Sequence, residues 1–134
     1  MRLLLDTHAF IWAIAEPGKL PLRARTSIKN PENEVFVSAV SFWEIGIKVR
    51  IKKLEPIGAK GEEDLVALSE STGIQPISLT PHEAGTYHKL SEPIHSDPFD
   101  RMLIWQAITR KMTLVSGDAE FRKFAPHGLK LLWK

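Results

Sequence analysis

The sequence predicts an α/β fold: a three-layer α/β/α sandwich around a mostly parallel central sheet. Three observations carry this reading. Short apolar runs of strand length, among them "RLLL", "EVFVS" and "LKLLW", alternate with helical segments. Such runs lack an in/out alternation, as expected of strands covered on both faces. Several of the helical segments open on Ser, Thr or Asp followed by an apolar run, which marks a capped N-terminus. With 134 residues, 43% of them hydrophobic, the chain has enough apolar matter for one core, so a single domain over 1–134 is expected.

The elements follow in order. Residues 2 to 5 read as a strand, and His8 to Ala15 as a helix halted by Pro17 and Gly18. Pro21 opens a helix to about Lys29, because its fixed φ and missing N–H suit a first turn. "EVFVS" is a strand, after which Ser38 and Ser41 both offer caps to "FWEIGIKVRI". The stretch from Ile51 to Gly61 is loop, and "EEDLVALSES" is an amphipathic helix. "IQPISL" is a strand, and Thr80-Pro81 with Glu83 has the form of a capping box. "HSDPFDRMLIWQAITRK" is the clearest helix of all. The strand "TLVS", a short helix over Glu120 to Phe124 and the strand "LKLLW" complete the chain.

Composition excludes more than it selects. Eighteen Lys and Arg against 16 Asp and Glu leave a net charge of +2, which neither demands nor forbids a nucleic-acid partner. No cysteine is present, so disulfides, thiolate metal sites and cysteine nucleophiles are all excluded. The N-terminal apolar run is short for a signal peptide, and no stretch has the length of a membrane span, so the expectation is a soluble cytoplasmic protein.

In open α/β sheets, ligands bind beyond the carboxyl ends of the strands. Asp6 directly follows the first strand, and Asp118 follows "TLVSG". Glu44 lies in the helix after "EVFVS", and Asp100 in the first turn after Ser96-Asp97-Pro98. Brought together, these four carboxylates would raise one another's pKa unless a cation neutralised them, and hard oxygen donors suit Mg²⁺ or Mn²⁺. Each acid has an ordinary explanation as well. Asp6, Asp97 and Asp118 can cap helices, Asp100 can favour a helix dipole, and Glu44 can pair with Lys48 four residues on.

Other site chemistries find little support. The five histidines show no H-x-x-x-H spacing, although His95 stands close to Asp97. No phosphate-binding glycine loop or G-x-S-x-G elbow occurs. Trp12, Trp43, Trp105 and Trp133 lie on apolar faces and read as core or interface.

Four blocks in order resemble the PIN-domain toxins of VapC type, the ribonuclease halves of toxin-antitoxin pairs: "LLLDTHAFIW", "VSAVSFWEIGIKVRIKKL", "HSDPFDRMLIWQA" and "LVSGDAEF". The resemblance covers nearly the whole chain. It implies a catalytic, metal-binding quartet of Asp6, Glu44, Asp100 and Asp118, with Thr7 and Ser116 as supporting hydroxyls. Asp97 belongs to a D-P-F-D variant of the third block, and its membership of the site stays open. The implied activity is hydrolysis of RNA by a water activated by Mg²⁺ or Mn²⁺, leaving a 5′-phosphate and a 3′-hydroxyl. Arg50, Lys52, Lys53 and Arg101 are candidates for holding the RNA backbone. A homodimer is also implied, with Phe10, Trp12 and Trp43 as candidate contacts, and so is a cognate antitoxin whose arginine would enter the acidic cleft. Two alternatives stand beside this reading. One is a haloacid-dehalogenase-like phosphohydrolase, which would want an aspartate where His8 stands; the other is a non-catalytic RNA- or partner-binding domain.

Overall fold

The computed structural model describes residues 1–57, 64–91, 93 and 97–134; His95 and the end of the loop predicted after Ile51 lie outside these residues. Five strands form one sheet: β1 (Arg2–Leu5), β2 (Glu34–Ser38), β3 (Gln75–Ile77), β4 (Thr113–Val115) and β5 (Lys130–Leu132). Their order is β3-β2-β1-β4-β5, and every pairing is parallel. The centre is β1, where Leu4 stands between Phe36 and Leu114 and Leu5 between Val37 and Val115.

Alternate side chains of β1 enter two separate cores, which is what makes the architecture three-layered. Leu3 and Leu5 join Val35, Val37, Phe10, Ala24 and Ile45 on one face, where α1 (Thr7–Ala15), α2 (Leu22–Lys29) and α3 (Ala39–Arg50) pack. Leu4 joins Phe36, Leu114, Ile104, Phe121 and Phe124 on the other, under α6 (Pro98–Arg110). Two shorter helices complete the layers, α4 (Leu65–Ser71) and α5 (Pro81–Thr86).

The caps explain the boundaries. Ser38 alone starts α3, accepting from Val40 N at 3.1 Å; Ser41 is buried inside the helix and has other partners. The capping box at Thr80 and Glu83 forms as the spacing predicts. Pro21 precedes α2 as its N-cap and is not its first helical residue. The strand read as "IQPISL" contracts to Gln75–Ile77, and Pro76 is tolerated because β3 is an edge strand with no ladder to complete on one side. The segment read as a short helix over Glu120 to Phe124 is a longer 3-10 helix, Ala119–His127, with Pro126 inside it and Gly128 closing it at a φ of 100°.

A buried polar chain ties α6 to the opposite end of the sheet. Gln106 accepts from Ser38 Oγ at 2.6 Å and donates to Glu83 at 3.0 Å and to the Ser78 carbonyl at 3.2 Å. Arg110 closes the chain on Glu83 at 2.7 Å. Ser38 caps α3 and Gln106 lies on α6, so this network fixes the relative position of two helices that carry acids.

Candidate active site

A cleft of about 520 Å³ opens beyond the carboxyl ends of β1, β4 and β5, where the starts of α1, α6 and the last 3-10 helix meet α3. Five carboxylates line it: Asp6, Glu44, Asp97, Asp100 and Asp118. The structure therefore brings the whole predicted quartet together and adds Asp97.

The cap reading and the site reading concern the same residues. Asp6 caps α1, its Oδ1 accepting from Ala9 N at 2.8 Å. Asp97 caps α6, its Oδ1 accepting from Phe99 N at 2.9 Å and Asp100 N at 3.1 Å. Asp118 caps the last 3-10 helix, its Oδ1 accepting from Glu120 N at 2.9 Å. Each cap engages Oδ1 in a carboxylate that also lines the cleft, so capping anchors the acid and does not remove it. The amide of Asp6 donates to the Val115 carbonyl at 3.0 Å, which pins the first acid to the end of β4.

Burial pushes the Asp6 carboxyl from an ordinary 3.8 to about 6, and the Asp100 charge pushes the same way; hydrogen bonds with Ser116 and Ala9 and the nearby His8 oppose them. Ser116 has a second task, since its Oγ accepts from Asp118 N at 3.1 Å. It thus bridges the first and last acids of the cleft.

Glu44 is only 3% exposed. Thr7 donates to its Oε1 at 2.6 Å, Lys48 donates to its Oε2 at 2.6 Å, and Thr7 is also hydrogen-bonded with Ser41 at 3.0 Å. The Glu44–Lys48 spacing does make an ion pair, but one set in the wall of the cleft and not on a solvated helix face. Its hydrogen bond to Glu44 raises the Lys48 pKa above the usual value, against partial desolvation, and the charges of Asp97 and Asp100 add to the rise.

Sequence reasoning missed part of the lining. Lys48, His8, Trp12 and Trp133 all face the cleft. Lys48 was legible as a partner of Glu44, whereas the two tryptophans carried no signal beyond apolarity. Two other expectations are corrected. Arg101 is committed to the fold: it donates to Tyr87 Oη at 3.0 Å and to the Leu90 carbonyl at 2.6 Å, and its guanidinium lies over the Tyr87 and Phe124 rings. Phe10 is fully buried, so it has no place in a subunit contact; of the three candidates only Trp43 is well exposed, edge-on to Phe99.

Among the described residues no three acid or histidine side chains close into a ready cation cage. The donor set of the cleft is nevertheless dominated by carboxylate oxygen, with His8 beside it, which fits a hard divalent ion that keeps several of its own waters.

Fold and site together define a parallel α/β domain with an acidic pocket at the carboxyl edge of its sheet. The PIN domain family profile matches residues 3–126, and the chain belongs to that family. It is 29% identical over 119 residues to a protein named Ribonuclease VapC22 from Mycobacterium tuberculosis, covering 89% of this chain and 88% of that one. In fold it is similar to a chain of the VapBC2 complex from Rickettsia felis bound to a promoter DNA fragment, with a TM-score of 0.72 at 17% identity and full coverage of both chains. A chain of DNA-bound VapBC from Salmonella typhimurium gives a TM-score of 0.65 at 16% identity, covering 98% of this chain and 97% of that one.

Proposed function

We propose that this chain, one PIN-like nuclease domain over 1–134, is a metal-dependent endoribonuclease and the toxin half of a toxin-antitoxin pair. The observation that carries the reading is the convergence of five carboxylates from four helices or their caps in one cleft, with the Asp6 carboxyl buried among them. Membership of the PIN family and likeness to a relative named as a ribonuclease support it over the phosphatase-like and non-catalytic alternatives.

Asp6, Asp100 and Asp118 are the residues that would hold Mg²⁺ or Mn²⁺, partly through water, with Asp97 at the margin. Such an ion supplies Lewis-acid polarisation of a phosphate oxygen and a water of lowered pKa. Glu44 has both oxygens engaged by Thr7 and Lys48. Its place is to ligate when the Lys48 ammonium yields, or otherwise to orient the attacking water. Lys48 offers a positive charge to a phosphate entering the cleft. The family likeness to VapBC complexes supports a cognate antitoxin as partner, entering the cleft with a cation such as arginine that pairs with carboxylates. A homodimer and a cytoplasmic setting complete the reading. No helix among the described residues is long and apolar enough to cross a membrane.

The test is cleavage of single-stranded RNA by purified protein. EDTA is expected to stop it, added Mg²⁺ or Mn²⁺ to restore it, and Asp100→Asn to lose most of it while staying folded. Undiminished cleavage in excess chelator by mass-verified protein would sink the metal-dependent mechanism.

A further inference from the structure

The acid cleft is poorly made for holding a polyanion by itself. Its five carboxylates face Lys48 and His8, and Lys48 is already bound to Glu44. An RNA strand that reaches this cleft needs cations close by, because phosphate contacts dominate nucleic-acid affinity.

A second cleft, of about 490 Å³, adjoins the first. The two share Gly117, Asp118 and Trp133, so they are continuous across a single aromatic divide. Arg23, Arg122 and Lys134 line the second cleft, and Asp118 is the one acid in its lining. The three cations come from α2, the last 3-10 helix and the residues after β5, which makes the cleft a product of the tertiary fold. Arg23 Nη1 donates to the main-chain oxygen of Lys134 at 3.0 Å, and this bond draws α2 to the end of the chain.

The divide is itself specialised. At Gly117 an added Cβ would lie 2.6 Å from Trp133 Cε2, so only glycine lets the indole rest on the backbone beside Asp118. On its other side the Trp133 ring is 6.0 Å from the Trp12 ring, which also lines the acid cleft. Aromatic faces at such a seam suit the unstacked bases of a single strand.

We propose that the basic cleft is a subsite for the sugar-phosphate backbone of single-stranded RNA flanking the scissile bond, which passes over Gly117 and Trp133 into the acid cleft. The inference rests on the ribonuclease reading given above. It adds where the flanking nucleotides lie and which side chains hold them.

The experiment measures binding of a short, mixed-sequence, fluorescein-labelled single-stranded RNA to the full chain by anisotropy, in EDTA, over a range of salt. The triple variant Arg23→Gln, Arg122→Gln, Lys134→Gln is compared with a charge-matched control, Lys29→Gln, Lys111→Gln, Lys130→Gln. These control lysines are exposed and outside both clefts. Three lost phosphate contacts at about 0.7 each reduce the slope of log K against log salt by roughly 2, or about a hundredfold in affinity at 0.1 M salt. The control is expected to stay close to the parent. Equal losses in both variants, or no loss in the triple variant of a parent that binds and cleaves RNA, overturn the subsite and leave the nuclease reading standing. A parent that neither binds nor cleaves RNA overturns both. Selective loss of binding to an acidic peptide, with RNA binding intact, assigns the cleft to a protein partner and also overturns the proposal.

Discussion

Replacing Asp6 by asparagine should make the metal-free protein more stable at neutral pH and nearly unchanged in acid. Asn caps a helix about as well as Asp, so the bond from Ala9 N survives while the buried charge goes. In the folded protein the Asp6 carboxyl stays protonated up to about 6, against an ordinary 3.8. Between these values the folded state binds the proton that the unfolded chain has released, so stability falls as pH rises and the loss is complete above the folded pKa. About 2 pKa units correspond to roughly 3 kcal/mol. For a domain of this size that is on the order of 10 °C in Tm. The assay is thermal unfolding of parent and Asp6→Asn in EDTA at pH 4 and pH 7.5. The variant is expected to gain on the parent only at the higher pH. Saturating Mg²⁺ should then raise the parent and narrow the gap, since an ion that binds the folded state stabilises it by RT ln(1 + [L]/Kd). An equal gap at both pH values in EDTA, or a less stable variant at pH 7.5, refutes the argument that burial of this charge destabilises the empty site.

Two further outcomes are expected from residues outside the acid cluster or on its rim. Burial pushes the Glu83 carboxyl up, but the bonds from Arg110, Thr80 N and Gln106 outweigh it and hold the group at about 2. That carboxylate therefore contributes on the order of 3 kcal/mol above pH 4.5, lost as pH falls towards the folded value. Glu83→Gln should accordingly lower urea resistance at pH 7, with the deficit shrinking by pH 3; a deficit that does not change with pH counts against it. Gly117→Ala places a methyl group 2.6 Å from the Trp133 ring. The ring must move, at a cost of about 1 to 3 kcal/mol, and a changed tryptophan emission with a lowered Tm is the expected readout. Unaltered emission and stability would show that the indole does not rest on Gly117.

The fold was legible because its signals are local. The apolar run of β1, the capping box at Thr80 and the Asp97-Pro98 start of α6 all form as their residues dictate. Where the reading slipped, the missing information was tertiary. Pro76 lies in a strand that its edge position permits. The residues of the candidate site divide in the same way. Asp6 and Asp118 follow strands, Asp100 lies in the first turn of α6 and Glu44 lies in the helix after β2, so all four could be found by counting. Trp12, Trp133 and Arg23 line clefts only because distant segments meet. Arg101 showed the converse: a basic residue beside an acid of the quartet suggests substrate binding until the Tyr87 and Leu90 contacts are seen.

Weighing cap against ligand for each acid sets as alternatives two things that this topology makes one. In an all-parallel sheet a helix that directly follows a strand begins at the carboxyl edge, as α1, α3 and the last 3-10 helix do, and the N-terminus of α6 lies at the same cleft through Asp97 and Asp100. Their free amides and dipoles favour anionic side chains, each by about 0.3 to 1 kcal/mol, which offsets part of the repulsion created by gathering carboxylates. A capping aspartate therefore both stabilises its helix and delivers a fixed oxygen to the cleft. Glu44 is the exception that supports the rule. It lies beyond the first turn of α3, too far along for a cap, and the fold supplies Thr7 and Lys48 to satisfy it instead. This buried acid, which caps no helix, is thus one already holding a cation. This gives Lys48 a physical reason to stand in the cleft: it stabilises the one buried acid that no helix terminus serves.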